Sequence, residues 1–293
     1  MTILDELTAA LQHVDATVGP AVVGVGHRRG AGSGVVIASG HILTNAHNIF
    51  GETVTVRLHN GTLADATVVA VDADDDLAVL SADTGDIAPL EWTDATPALG
   101  TAVFAVSRPR HGAGARVTFG TIAATDRRFR GPRNRPIAGA FEHTAPLARR
   151  GSGGPVVDAD GRLLGLNTHR MGDGFYLAIP ADATLRERVT ALAEGQAPRQ
   201  RQLGVALAPP RVARRLRAAV GLSERDGLLV QEVFDDTPAA AAGLRRGDLI
   251  VTVNDTAVDS VDVLYAALGG QDSDLRLGVV RGADEIEITA SFD

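Results

Sequence analysis

No cysteine and no lysine occur among the 293 residues; all 28 basic residues are arginine. The first absence removes a thiolate nucleophile, a disulfide framework, an iron–sulfur cluster and a zinc ribbon. The second removes the P-loop, Schiff-base chemistry and a serine–lysine dyad, each of which needs an ε-amine. Positive charge is in deficit too. The formal net charge is -8, so no global field draws the chain to nucleic acid or to an anionic bilayer. Long apolar runs are also missing. Stretches such as "GVVIA" (34–38) and "DLIVTV" (248–253) are strand-sized, far short of the roughly 20 residues of a membrane span. The opening "MTILDELTAALQHVDATVG" lacks a basic n-region and carries acids among its apolar residues, unlike a secretory leader. The expectation is a cytoplasmic chain, or one whose leader has been removed.

What is present suffices for two cores, since 45% of the residues are hydrophobic. Ile3, Leu4, Leu7, Leu11 and Val14 fall at helical spacing and predict an amphipathic helix over 3–14, in an N-terminal segment (1–17) that docks or mediates assembly. From about 20 to 180 the pattern changes to short Val-, Ile- and Leu-rich runs punctuated by glycine, which indicates a mainly β sandwich or barrel. "ASGH" and "DADGR" are its hairpin turns. Residues 182–194 are rich in helix formers and close a first domain of 18–194. "GQAPRQRQ" (195–202) has the Gly, Pro and polar make-up of a linker, placed at 195–201, and 202–293 follows as a small domain of mixed strand and helix.

A hydroxyl stands in "LARRGSGGPVVD" (147–158), packed among glycines: Ser152. Serine is a poor nucleophile at neutral pH unless an imidazole takes its proton and a carboxylate orients that imidazole. Of the eight histidines (13, 27, 41, 47, 59, 111, 143 and 169), His47 ends the apolar strand "HILTNAH", where it can be presented at a rim. In "DADDDLAVL", Asp76 is the acid nearest the strand; Asp74 and Asp75 are read as solvated loop charges. His47, Asp76 and Ser152 thus supply base, orienting acid and nucleophile.

The runs "GSGVVIASGHILTNAH", "DLAVL", "GSGGPVVDADGRLLGLNT" and "YLAIP" resemble the protease core of the HtrA/Deg family. "RQLGVALA", "GLLVQEVFDDTPAAAAGLRRGDLIVTVND" and "VDSVDVLYAALGG" are similar to that family's PDZ domain. The resemblance implies a chymotrypsin-like double β-barrel followed by an α+β PDZ domain. It also implies an acyl-enzyme endopeptidase acting on unfolded or damaged proteins, with no cofactor and no metal. Backbone amides of Arg150, Gly151 and Ser152 would form the oxyanion hole. Pro146, Leu147, Leu166, Asn167 and Thr168 would border the substrate. Leu203, Gly204 and Val205 would offer amides to a C-terminal peptide, with Leu264 on the opposite wall of the groove. The implied partners are unfolded proteins, C-terminal peptides and further copies of the chain, a trimer by analogy.

Two places depart from the family: the pair before the nucleophile, and Ala145, which follows Thr144 where the family usually has a supporting aspartate. The family usually has Gly-Asn-Ser before Gly-Gly-Pro, whereas here Arg150 and Gly151 precede the serine. An arginine two before the nucleophile still has an amide to donate, or it holds the loop inactive; the second case gives the alternative reading, a silent peptide-binding chaperone or scaffold. Pro146 stands six before Ser152, where trypsin-like enzymes carry an acid for basic side chains. The expected preference is therefore for small or medium aliphatic residues. "DRRFRGPRNRP" (126–136) carries five arginines and is read as a surface loop, with loop coupling as its functional alternative. The glycines of 24–34 lack the spacing of a dinucleotide fingerprint, and no H-E-x-x-H is present.

Overall fold

Twelve short strands, β-branched and punctuated by glycine, close into two barrels in a computed structural model that describes residues 2–26, 32–93, 95–109, 114–131, 136–198, 201–269 and 274–292. The first contains β1 (Val22–Val25), β2 (Gly32–Ala38), β3 (His41–Thr44), β4 (Thr53–Arg57), β5 (Leu63–Asp72) and β6 (Leu77–Ser81), in the closed order β1-β2-β3-β6-β5-β4. The second contains β7 (Ala102–Ser107), β8 (Arg116–Arg130), β9 (Pro136–His143), β10 (Pro155–Val157), β11 (Leu163–Gly172) and β12 (Phe175–Pro180), in the closed order β10-β11-β12-β9-β8-β7. Closure leaves no strand edge unpaired. Val23, Val36, Ile42, Val56 and Leu80 fill the first barrel; Val103, Ile122, Phe141, Val156 and Leu164 fill the second.

A separate core lies between the barrels, where Val35, Leu43 and Val79 of the first meet Phe104, Val106, Val157, Leu163 and Leu166 of the second. Two helices seal it. The first, α1 (Ile3–Val18), starts with a reciprocal capping box: Asp5 N donates to Thr2 Oγ1 (3.2 Å) and Thr2 N to Asp5 Oδ2 (2.8 Å). It runs four residues past the expected end because Val14 and Val18 are fully buried in the inter-barrel core, while Ile3 and Leu4 stay 83% and 72% exposed. The buried Arg108 guanidinium, just after β7, donates to the carbonyls of Gly19 (2.5 Å) and Val22 (2.6 and 2.9 Å), tying the end of α1 and the start of β1 to the second barrel. The second helix, α2 (Ala183–Ala193), buries Leu185, Val189 and Leu192 in the same core.

The arginine-rich stretch departs from its loop reading. Strand β8 continues through Arg130 and β9 starts at Pro136, because Phe129, Ile137 and Ala140 bury together with Leu177 and Arg127 pairs with Glu142 (3.3 Å). Arg133 and Arg135 lie outside the described residues, as do His27, Arg28 and Arg29 of the glycine-rich stretch and His111.

The chain divides into two compact units, Met1–Pro198 and Arg199–Asp293. In the second, β13 (Val205–Ala208), β14 (Leu228–Val233), β15 (Leu249–Val253), β17 (Asp274–Arg281) and β18 (Asp284–Ser291) form one sheet in that order, with β16 (Thr256–Ala257) paired to β15. Helices α3 (Pro210–Ala219), α4 (Pro238–Ala241) and α5 (Val261–Leu268) accompany it. The core gathers Leu203, Leu228, Val230, Ile250, Leu264, Leu275 and Leu277. Strand β13 is an edge of the sheet.

Candidate active site

Strand β3 runs into a 3₁₀ turn, Ala46–Asn48, that presents His47 at the rim of the first barrel. Asp76, fully buried, precedes β6 in left-handed backbone (φ 58°), a conformation that Asp tolerates better than most residues. The turn after β3 grips it: Ala46 N (3.1 Å) and Asn45 Nδ2 (3.0 Å) donate to the Asp76 carbonyl, and His47 N donates to Oδ1 (3.1 Å). His47 Nδ1 lies 2.9 Å from Asp76 Oδ1 and 2.8 Å from Oδ2. A proton on Nδ1 satisfies the carboxylate and leaves the Nε2 lone pair facing Ser152 Oγ, 3.0 Å away. The three residues singled out from the sequence therefore converge.

The turn that carries Asp76 is braced from outside. Asp72 Oδ1 accepts from the amides of Asp74 (3.1 Å) and Asp75 (3.2 Å), while Arg188 of α2 pairs with Asp72 Oδ2 (3.2 Å) and with Asp75. Asp75 is thus half-buried in an ion pair rather than a solvated loop charge, and Asp74 is half-buried as well.

Around Ser152 the backbone is set by a glycine-rich turn and by the first barrel. Gly151 N donates to the Ala148 carbonyl (3.0 Å), closing a turn whose third residue, Arg150, has φ 70°. A positive φ at that position is what a type II turn requires, and it favours glycine. Arginine takes it at a cost of about 1–2 kcal/mol. Gly153 also has a positive φ (80°), and a Cβ there would collide with the Ser33 carbonyl and Thr44 Oγ1. The Ser152 carbonyl accepts from Ser33 N (2.8 Å) and Asn48 Nδ2 (3.1 Å), and Gly153 N donates to the Asn167 carbonyl (2.7 Å). Ser33 Oγ reaches the Arg150 carbonyl at 3.3 Å. With those groups engaged, the amides of Arg150 and Ser152 have no acceptor among the described residues. The Gly151 amide, in contrast, is engaged by the Ala148 carbonyl.

The expected substrate-bordering residues are placed less uniformly. Pro146 is exposed, its carbonyl accepting from Thr118 Oγ1 (2.8 Å). Leu147 is buried beneath the turn, against Gly151. Leu166 is fully buried between the barrels, so its side chain forms no wall of a cleft. Asn167 is fully buried as well: Nδ2 donates to the carbonyls of Gly154 (3.1 Å) and Pro155 (3.2 Å), and Oδ1 lies 2.9 Å from His143 Nε2. It supports the nucleophile loop from within. Thr168 Oγ1 donates to Asp76 Oδ2 (2.9 Å), giving the carboxylate a further partner.

Four contributors escaped the sequence reading. Ser33 and Asn48 hold the Ser152 carbonyl. His169 stands edge-on to His47 with ring centroids 5.5 Å apart; burial and His47 hold its imidazole below the ordinary range, against the opposing pull of Asp76. His143 is fully buried, and desolvation lowers it to about 4 despite its bond to Asn167. Adjacency was the only available clue: Asn48 follows His47, and His169 follows Thr168.

In the second unit, Leu203 and Leu264 are buried in one cluster, with Val205 packed against it. Gly204 has φ 81°, and a Cβ there would collide with Thr237. The carbonyls of Leu203 and Gly204 accept from Ala239 N and Phe234 N (both 2.9 Å), and Val205 opens the ladder to β14 opposite Val233. The amides of Leu203 and Gly204 have no acceptor among the described residues. No group of three or more His, Asp or Glu is placed to hold a metal ion among those residues.

Residues 32–166 match the trypsin-like peptidase domain family and residues 203–291 the PDZ domain family. The chain is 32% identical over 275 residues to a probable periplasmic serine endoprotease, DegP-like, of Halomonas elongata, covering 90% of this chain and 56% of that protein. It is 30% identical over 279 residues to the mitochondrial serine protease HTRA2 of Drosophila willistoni, covering 88% and 64%. The chain thus spans between half and two thirds of the length of these curated relatives. Among solved structures, the HtrA-type protease AlgW with a decapeptide superposes with a TM-score of 0.70 at 25% identity, covering 96% of this chain and 97% of that one. Two barrels bearing a Ser–His–Asp cluster, a PDZ unit after them and relatives matched across both units place the chain in the HtrA/Deg family.

Proposed function

We propose that the chain is a serine endopeptidase that cleaves unfolded proteins through an acyl-enzyme. The observation that carries this is the continuous path from Asp76 through His47 to Ser152, at 2.8 Å and 3.0 Å. Ser152 Oγ attacks the peptide carbonyl as its proton passes to His47 Nε2. Asp76 stays ionised and stabilises the imidazolium, which then protonates the leaving amine. Water repeats the sequence to release the acyl group. The amides of Arg150 and Ser152 are the donors for the oxyanion, a contribution typically worth about 10²–10³-fold in rate per donor. Pro146, in the position of a charge-binding acid, supports cleavage after small or medium aliphatic residues.

In the second unit, the edge of β13, the unengaged amides of Leu203 and Gly204 and the apolar Leu203–Leu264 cluster support capture of a C-terminal peptide by strand addition. The solved structure of AlgW with a decapeptide supports peptide binding by the chain. Within it, 18–194 acts as the protease domain, 202–293 as the PDZ domain, and 195–201 as the linker that passes a binding signal. Exposed Ile3 and Leu4 at the start of α1 support assembly of several copies.

Casein digestion by the parent and by Ser152→Ala tests the reading. Digestion by the parent and none by the variant is expected; equal digestion overturns the choice of nucleophile. A parent that digests nothing, even with C-terminal peptides added, turns the choice toward the silent scaffold, which the left-handed Arg150 favours.

A further inference from the structure

Directly after His47, and almost completely buried, stands Asn48. Its Nδ2 lies 3.1 Å from Thr44 Oγ1 and 3.1 Å from the Ser152 carbonyl. A carbonyl has no proton to give, so that end of the amide is the donor; the orientation of the carboxamide follows from its partners. Thr44 agrees, since its own proton goes to the Ser33 carbonyl at 2.7 Å and leaves its oxygen to accept. Oδ1 is then turned to Ser152 Oγ, at 3.3 Å. Glycines make the room: a Cβ at Gly32 would collide with the carboxamide, and one at Gly153 would press on Nδ2.

Ser152 Oγ consequently faces two acceptors, His47 Nε2 at 3.0 Å and Asn48 Oδ1 at 3.3 Å. With His47 neutral, the hydroxyl proton can point at Nε2. Once Nε2 carries a proton it donates to Oγ, and the hydroxyl proton needs another acceptor. We propose that Asn48 is a positioning residue for the nucleophile: its Nδ2 clamps the Ser152 carbonyl, and its Oδ1 receives the Ser152 hydroxyl whenever the imidazole is protonated. The inference rests on the serine-nucleophile reading above. It makes Asn48 part of the proton balance at the site, because its acceptor favours the protonated imidazole–alcohol pair over the neutral one. The clamp also joins the barrels, since the residue after the base holds the backbone of the nucleophile.

The acid limb of the reaction reports this role. The titratable groups facing His47 are Asp76 from the turn before β6 and His169 from β11. Neither changes when Asn48 is replaced. The experiment is the second-order rate of fluorophosphonate labelling of the full chain as a function of pH, for the parent, Asn48→Leu, Asn48→Ala and Asn48→Asp. Losing one neutral hydrogen bond to the protonated pair is expected to move the acid midpoint down by about half to one pH unit in Asn48→Leu. Asn48→Ala, which adds no bulk, is expected to shift the same way and guards against misfolding of the larger variant. Asn48→Asp keeps an acceptor at the site, so its midpoint is expected at or above the parent's. A purely structural role would lower the melting temperature or the plateau rate and leave the midpoint in place. Midpoints of Asn48→Leu and Asn48→Ala that coincide with a well-labelled parent's overturn the inference alone. A parent that is not labelled at any pH overturns the serine-nucleophile reading and this inference with it.

Discussion

The two barrels share one strand order: numbered from its own first strand, each runs 1-2-3-6-5-4 around the closed sheet. Their contributions to the site nevertheless differ in kind. The first barrel supplies side chains, His47 after its third strand and Asp76 before its sixth, held by short turns that bond to each other. The second supplies backbone, a turn before its fourth strand in which Arg150, Gly151, Ser152 and Gly153 are set by dihedrals and by carbonyl contacts with the first barrel. An identical topology thus delivers an acid–base pair at one rim and a backbone-defined nucleophile at the other. The architecture presents ends of strands, and the residues at those ends decide the chemistry.

Replacing Asp76 by Asn breaks the first barrel's contribution most cleanly. The shape survives, but the carboxamide can no longer both accept from His47 Nδ1–H and stabilise the imidazolium, so labelling and casein cleavage should fall by about 10⁴-fold. A loss of only a few-fold would mean that His47 is oriented without the acid.

Inside the second barrel the support is a buried histidine, and its signature is acid lability. His143 is held to about 4 by burial, against 6.5 for an ordinary imidazole. Above pH 6.5 it is neutral in both the folded and unfolded chain, and no penalty arises. As the pH falls from 6.5 to 4 the unfolded chain takes a proton that the folded chain refuses, so stability is lost across that window and levels off below it. The loss amounts to roughly 3 kcal/mol. Urea unfolding at pH 7 and pH 4 measures it: His143→Gln should show a difference between the two pH values smaller by that amount. An unchanged difference would assign the acid loss elsewhere.

The mildest effect belongs to the turn. Arg150→Gly removes a left-handed arginine and should raise the resting labelling rate by about five-fold, the equivalent of roughly 1 kcal/mol. An unchanged or lower rate would show that the arginine side chain, and not its backbone, governs the loop.

What could be read from the sequence follows the same division. His47, Asp76 and Ser152 were legible because each sits at the end of an apolar run whose period marks a strand, and Gly153 and Gly154 flag a backbone that excludes side chains. Ser33, Asn48 and His143 were not, because their meaning lies in partners dozens of residues away that only the closed barrels bring within 3 Å or so. The burial of Leu166 and Asn167, expected to border the substrate, was not legible for a related reason. On β11 both side chains are fully buried, and nothing local distinguishes a strand lining a cleft from one sealing a core. The run 126–130 was read as loop from its arginines, yet Phe129 packs on Ile137 and Leu177 and Arg127 pairs with Glu142, anchoring that end of β8.

One measurement bears on the central claim most directly: peptide mapping by mass spectrometry after fluorophosphonate treatment of the full chain. Convergence of His47, Asp76 and Ser152 into one working unit predicts a single adduct on Ser152, absent from His47→Ala under the same conditions. An adduct on any other serine, or one that forms on Ser152 as fast without His47, would contradict it.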